Sequence, residues 1–276
     1  MNTVLITGAT SGIGKEAAKK LAADGYEVVF TARNEIKGKE TKKEIISFSS
    51  NRNVDFYICD LASFESIKEL SNHFRENYSI LHILVNNAGV WKKKRELSKD
   101  GIEYTFAVNY LAPFLLTNLL LDLLIKSSPS RIINVVSALH HGKIRFDDLE
   151  FNKDYSGWKA YAHSKLAIIL FTRILAEKLK DKNVRVYALH PGMVSTNLAR
   201  DATFITKTFF RIFGKKPEKG AEGIVYLAES KDVEDLSGEY FAGKKVARSS
   251  KESYNMEVAE LLWKRSEEYV GMKFNV

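Results

Sequence analysis

Near its start the chain passes from an apolar run, Val4-Leu5-Ile6, through Thr7-Gly8-Ala9-Thr10-Ser11-Gly12-Ile13-Gly14 into a helical stretch from Lys15 to Asp24. Three closely spaced glycines between a strand and a helix demand a sharp turn, and they let the backbone come closer to a neighbour than a Cβ would permit. The rest of the sequence repeats the alternation that this turn begins. Strands are expected at Thr3 to Thr7, Glu27 to Thr31, Val54 to Ile58, Ile83 to Asn86, Arg131 to Ser137 and Val184 to His190, with a last one near Glu239 to Phe241. Helices are expected at Lys15 to Asp24, Ile36 to Ser47, Ser63 to Tyr78, Tyr104 to Ile125, Tyr161 to Lys180 and Gly220 to Glu229. Strand, helix, strand in succession gives a parallel sheet with helices on both faces. The strands are nearly continuous in hydrophobicity, as doubly covered strands should be. The expected fold is therefore α/β, a Rossmann-type doubly wound parallel sheet. With 276 residues, 45% of them hydrophobic, and no linker-like segment, one domain over 1–276 is the simplest organisation.

Gly8, Gly12 and Gly14 lie where a pyrophosphate would be cradled by the backbone and stabilised by the helix N-terminus. Their spacing is Gly-x-x-x-Gly-x-Gly, not the Gly-x-Gly-x-x-Gly of the standard dinucleotide fingerprint. The alternative is that they serve only a tight turn and close packing. An acidic residue about 20 positions further on usually binds the ribose of NAD, whereas an arginine suits a 2′-phosphate. Here the second strand ends Phe30-Thr31-Ala32-Arg33, which favours NADP(H) over NAD(H), with Arg33 as phosphate ligand. The alternative for Arg33 is a solvated strand-end cation.

Downstream, Tyr161-Ala162-His163-Ser164-Lys165 places a phenol and an ammonium four residues apart, on one face of a helix. A phenol with a pKa near 10 is a poor acid or base at neutral pH, and a nearby ammonium favours the phenolate and lowers that value. The pair makes a tuned acid/base.

Thr7 to Gly14, Asn86-Asn87-Ala88-Gly89, Asn109, Ser137, Tyr161 with Lys165, and Pro191-Gly192 occur in an order that resembles the short-chain dehydrogenase/reductase family along nearly the whole chain. Within that family, Val108 to Thr117 and Tyr161 to Ala167 are similar to the retinol-dehydrogenase-like branch. The resemblance implies that Tyr161 exchanges the proton with the substrate oxygen, that Lys165 lowers its pKa and binds the nicotinamide ribose, and that Ser137 donates a hydrogen bond to the substrate oxygen. It implies that Asn109 holds a water linking Lys165 to solvent. It also implies cofactor contacts from Gly8, Ser11, Gly12, Ile13 and Gly14 in the first turn, from Asp60 and Leu61 at the adenine, from Asn87, Ala88 and Gly89 at the adenine ribose, and from Pro191, Gly192, Val194 and Thr196 on the nicotinamide side. The implied activity is NADP(H)-dependent interconversion of a carbonyl, an aldehyde or ketone of apolar character, and its alcohol. The gap from Ser137 to Tyr161 is longer than usual in the family and reads as a substrate-side loop. A dinucleotide-sensing regulator is the alternative, although a sensor has no need of a proton relay. An epimerase or dehydratase would need a larger C-terminal domain.

Other features bound the partners. The formal charge of +8 and the run Lys92-Lys93-Lys94-Arg95 invite a nucleic-acid reading, but acidic residues follow and only Trp91 stands beside it. A solvated loop is expected, with the charge favouring an anionic cofactor or substrate and no nucleic-acid partner. Cys59 is the only cysteine, so no intrachain disulfide is expected. The early strand leaves no room for a signal peptide, and Leu111 to Ile125 is too short and interrupted to span a bilayer. A cytoplasmic location with no transmembrane segment is expected. His140 and His141 are adjacent, so their side chains are expected to diverge, and no metal site is expected there. A hydrolase triad built on Ser137 lacks a Gly-x-Ser-x-Gly elbow. Thr203 to Phe213, within a region of about 195–220, reads as a substrate lid, with a packed helix or a peripheral membrane contact as alternatives. Excess apolar surface on Tyr104 to Ile125 and Tyr161 to Lys180 points to a homodimer, with a monomer left open.

Overall fold

Period-two alternation in the strands divides the core between the two faces of one sheet. In β1 (Thr3–Ile6), Leu5 joins one buried cluster while Val4 and Ile6 join the other. The same division holds for Val29 against Val28 and Phe30 in β2 (Glu27–Ala32) and for Leu84 against Ile83 and Val85 in β4 (Ile83–Asn86). The computed structural model describes residues 1–192 and 216–276. With β3 (Val54–Ile58), β5 (Ser130–Val135), β6 (Val184–His190), β7 (Tyr240–Ala242) and β8 (Lys245–Val246), the sheet order is β3-β2-β1-β4-β5-β6-β7-β8. All neighbours are parallel except β7 and β8. The chain reverses direction across the sheet between β1 and β4, and a crevice outside the C-terminal strand ends at such a point is where ligands bind.

Helices α1 (Gly12–Ala23) and α2 (Glu35–Ser49) contribute to one cluster, and α3 (Phe64–Asn77) to the other. Local capping explains several starts: Asn34 accepts from Lys37 N at 3.0 Å, and Ser63 accepts from Ser66 N at 3.3 Å. The helix expected over Tyr104 to Ile125 is broken into four pieces. After α4 (Tyr104–Phe106) comes a π-turn, Ala107–Leu111, then α5 (Ala112–Leu119) and α6 (Leu121–Lys126). Pro113 has no N–H, so the carbonyl four residues earlier, on Asn109, cannot be paired in α register. The chain widens there, and Ala112 N donates to Ala107 O instead.

The longest helix, α7 (Gly157–Lys178), begins four residues before the expected Tyr161. Residues 193–215 lie outside the described residues, so Val194, Thr196 and the segment Thr203 to Phe213 do as well. At the end of the expected lid region, 217–220 belong to α8 (Pro217–Glu229), where Pro217 supplies a helical φ at a position that needs no donor.

Sequence reading did not anticipate α9 (Met256–Val270), which covers part of the apolar surface on which the homodimer expectation rests. Trp263 of α9 packs edge-on against Phe114 at 5.0 Å and stacks on Phe171 at 5.9 Å, and Phe274 meets Phe114 at 5.7 Å. That part of the apolar surface of α5 and α7 is thus covered from within the same chain. Among the described residues no helix is long and apolar enough to cross a membrane.

Candidate active site

Each described residue that the sequence nominates for the site, Asn109 and Tyr161 with Lys165 aside, lies in or just beyond the loop at a C-terminal strand end. Gly8 to Gly14 follow β1, Arg33 follows β2, Asp60 and Leu61 follow β3, and Asn87 to Gly89 follow β4. Ser137 follows β5, and Pro191 and Gly192 follow β6. The glycine turn is locked to the turn after β4. Thr7 Oγ1 accepts from the N–H groups of Asn87 and Ala88 at 3.0 and 3.1 Å, while Asn87 Nδ2 donates to the carbonyls of Thr7 and Gly8 at 2.9 and 3.2 Å. Gly8 has φ +68, and a Cβ there would come within 2.9 Å of the Ala88 Cα. A Cβ on Gly14 would fall 2.4 Å from Asn87 Nδ2 and 2.8 Å from Gly8 O. These glycines therefore answer to a close approach within the chain as well as to any ligand. The α1 N-terminus holds no acidic residue in its first turn and no side-chain cap, a setting that favours a phosphate.

Arg33 is exposed at the edge of this crevice and makes no ion pair among the described residues. Asp60 pairs with Lys99 at 3.1 Å and accepts from Ala62 N at 3.1 Å, so its carboxylate also braces its own turn. Leu61 is buried beside it.

Tyr161 and Lys165 do share one buried face of α7. The Lys165 Nζ donates to the Val135 carbonyl at the end of β5, 3.0 Å away, and stands 5.6 Å from the centre of the Tyr161 ring. Burial, the larger influence, pushes the Tyr161 phenol up to about 12, and the neighbouring Ser137 side chain pulls it part of the way back. Lys165 is held by Val135 O, and burial is the largest influence on both groups, raising the phenol and lowering the ammonium. Ser137 lies two residues past the end of β5, in a turn where its Oγ accepts from Leu139 N at 3.2 Å.

Asn109 sits in the π-turn. Its Nδ2 donates to Val90 O at 2.9 Å and Ser164 Oγ at 3.1 Å, and its Oδ1 accepts from Val90 N at 2.7 Å. Both amide hydrogens are committed, so Asn109 clamps the loop after β4 to α7, and the water-holding role expected of it has only its remaining acceptor capacity to use. Ser164, Thr7 and the Val135 carbonyl complete the site, although none of the three was nominated for it from the sequence. Behind them Asn86 Nδ2 donates to Thr117 Oγ1 and Asn134 Oδ1, and Asn134 Nδ2 to Thr172 Oγ1, tying β4 and β5 to α5 and α7.

Burial brings Lys165 down to about 8 from 10.5. Between those pH values the unfolded chain binds more protons than the folded one, so stability rises with pH across that window. Below it the folded protein carries the whole penalty, on the order of 3 kcal/mol at about 1.4 kcal/mol per unit. Lys165→Met is expected to melt about 5 °C higher at pH 7, a gap that shrinks toward pH 10. A variant less stable than the parent at pH 7 would contradict a burial penalty of this size.

A doubly wound parallel sheet with a glycine-turned helix N-terminus at its switch point, and a buried tyrosine and lysine with a half-buried serine, defines a dinucleotide-binding oxidoreductase. The short chain dehydrogenase family model matches residues 2–204. Retinol dehydrogenase 12 of Bos taurus is 42% identical over 275 residues, covering 98% of this chain and 87% of that protein. An uncharacterised protein from Mycobacterium Paratuberculosis superposes with a TM-score of 0.82 at 30% identity, covering 100% of this chain and 96% of that one. A protein from Escherichia coli CFT073 assigned to the short chain dehydrogenases, and solved with NADPH, superposes with a TM-score of 0.72 at 26% identity over 88% and 97% of the two chains. The chain belongs to the short-chain dehydrogenase/reductase family, in its retinol-dehydrogenase-like branch. It is an oxidoreductase acting between alcohol and carbonyl groups with a nicotinamide cofactor.

Proposed function

We propose that this chain uses NADP(H) to interconvert an apolar aldehyde or ketone and its alcohol. The observation that carries the reading is Tyr161 buried on the same face of α7 as Lys165, with the Ser137 side chain near its phenol. Tyr161, protonated throughout the neutral range, gives its phenolic proton to the substrate oxygen in reduction and recovers it in oxidation. Ser137 donates to the same oxygen, stabilising the charge that develops there. Lys165, anchored on Val135 O, keeps a cation beneath the Tyr161 ring. The nicotinamide, when bound, supplies or accepts the hydride. The backbone N–H groups at the start of α1 would hold the cofactor's pyrophosphate, and the Asn87 turn would border its adenine half.

The cofactor preference is supported by Arg33, an exposed guanidinium next to Ala32, which stands where an acid would select NAD, and by the NADPH in the structure from E. coli CFT073. An apolar substrate is supported by Trp158, one turn before Tyr161 on the same helix face. Its ring meets that of Trp91, in the loop after β4, at 5.1 Å. The names of the retinol dehydrogenase relatives point the same way.

Fluorescence titration with NADPH and NADH, followed by absorbance-monitored oxidation against retinal, decanal and small polar aldehydes, tests the proposal. Turnover of polar aldehydes alone would remove the apolar substrate, and binding without any turnover would favour a dinucleotide sensor. Arg33→Ala is expected to weaken NADPH about 10- to 100-fold, the loss of one charge-assisted phosphate contact, and to leave NADH nearly unchanged. An equal effect on both dinucleotides would sink the phosphate role.

A further inference from the structure

The turn after β5 carries a buried histidine that the chemistry above does not use. His140 is 4% exposed, although the residue beside it, His141, is open to solvent. The two rings do not diverge as adjacent side chains are expected to. They stack at 5.2 Å, and the Tyr240 ring of β7 lies tilted against His140 at 5.1 Å. His140 Nε2 accepts from the backbone N–H of Ser250 at 3.0 Å, and its Nδ1 lies 2.8 Å from the Ser137 carbonyl oxygen. An N–H can only donate, so Nε2 carries the lone pair, and Nδ1 bears the proton and donates it to Ser137 O. Burial lowers the pKa of His140, and His141 beside it adds to the shift, which keeps this neutral form in place.

Around this ring the contacts form a brace. Ser250 Oγ donates to His140 O at 3.0 Å, and the Tyr240 hydroxyl donates to Ser137 O at 3.5 Å. The Ser137 hydroxyl oxygen accepts from Leu139 N within the same turn, which leaves its hydrogen for Tyr161 or a substrate oxygen. The direction of that hydrogen depends on the turn, and the Ser137 carbonyl fixes the turn from the side of residues 248–254.

We propose that His140 is a positioning residue for Ser137: it couples the segment after β8 to the turn that carries the Ser137 hydroxyl, and so aims that hydroxyl at the substrate oxygen. This rests on the reading of Ser137 as the donor to that oxygen. A reacting group displaced by about 1 Å can lose about 100-fold in rate, so the consequence should lie in kcat and not in cofactor affinity.

Two substitutions of similar size divide the two ring nitrogens between them. In His140→Asn the amide nitrogen stands in for Nδ1 and can still donate to Ser137 O, while the bond from Ser250 is lost. In His140→Gln the amide oxygen stands in for Nε2 and can still accept from Ser250, while the donation to Ser137 is lost. With NADPH and whichever of retinal or decanal is turned over, His140→Gln is expected to lower kcat about 10- to 100-fold. The KM for NADPH should stay within about threefold, and His140→Asn should keep kcat within about threefold of the parent. Should either variant fail to fold, Ser250 provides the second test. Its φ of −61° suits proline, so Ser250→Pro removes the N–H without backbone strain, whereas Ser250→Ala keeps it. Ser250→Pro removes both bonds from Ser250 to His140, the N–H and the Oγ, and is expected to lower kcat, whereas Ser250→Ala and His140→Asn each remove one and are expected to leave it within about threefold.

Equal kcat in His140→Gln and His140→Asn, or losses that only follow melting temperature, would overturn the assignment. Ser137→Ala separates this failure from that of the underlying reading. If Ser137→Ala turns over at the parent rate, the reading of Ser137 fails and His140 has nothing to position. If Ser137→Ala is inactive while the two His140 variants behave alike, the reading stands and the positioning role alone falls. In the Ser137→Ala background His140→Gln should add no further loss, because both changes remove one interaction.

Discussion

Tyr161→Phe is expected to lower carbonyl turnover by about three orders of magnitude while NADPH still binds, because it removes the proton donor and little else. The phenyl ring occupies the same space, and Tyr161 is only 6% exposed, so packing against its neighbours is retained. What disappears is the hydroxyl and its hydrogen bond with Ser137, worth about 1 kcal/mol in stability. The decisive comparison is single-turnover NADPH oxidation against NADPH affinity in the same protein. Turnover within about threefold of the parent would show that another group, or solvent, supplies the proton. The pH dependence sharpens the test. Burial holds the phenol near 12, so Tyr161 is expected to remain an acid across the working range, and Tyr161→Phe should lower reduction at every pH within it.

The second large effect is expected at Gly14. Gly14→Ala puts a methyl group 2.4 Å from Asn87 Nδ2 and 2.8 Å from Gly8 O, closer than atoms can stand. Asn87 must move, and with it the bonds to the carbonyls of Thr7 and Gly8 that join the glycine turn to the loop after β4. The expected cost is about 2–4 kcal/mol of stability, from overpacking and the broken bonds together, and NADPH affinity should fall at least about 100-fold. Gly25→Ala is the control. Gly25 has φ +88 with nothing within 4 Å, so it suffers backbone strain of about 1 kcal/mol without a clash and should bind NADPH normally. Parent-like NADPH binding by Gly14→Ala would mean that the two turns are not rigidly joined.

What could be read from the residues alone was what depends on near neighbours. The strands Val54–Ile58, Ile83–Asn86 and Val184–His190 are short apolar runs whose pattern marks their ends, and the structure reproduces those limits. The i, i+4 relation of Tyr161 to Lys165 is likewise local. The partner of the Lys165 ammonium was not, because its bond goes to a carbonyl 30 positions upstream on another element. His140 is similar: its role depends on Ser250, 110 residues away, and no spacing rule reaches that far. The break at Ala107–Leu111 could have been suspected from Pro113, since a proline removes a donor that the preceding turn needs. The helix Met256–Val270 also carried local signals. Asn255 caps it at Val258 N, Gly271 ends it in a left-handed conformation, and Ala259, Leu262, Trp263, Ser266 and Val270 fall on one face. Much of the rest of that helix is charged, and its one large anchor, Trp263, gains its meaning only from Phe114 and Phe171.

That arrangement has a consequence for how the protein is made. Phe114 and Phe171 leave the ribosome well before Trp263, which lies about 150 and 90 positions after them, so a nascent chain displays two uncovered aromatic helices through a long part of its synthesis. The strands up to β6 can pair in that interval, but the brace from Ser250 to His140 cannot form until the same late stretch arrives. Maturation of the catalytic turn and concealment of the sticky helix faces are therefore tied to one late event. During translation the chain would be at once inactive and a natural client for holding chaperones.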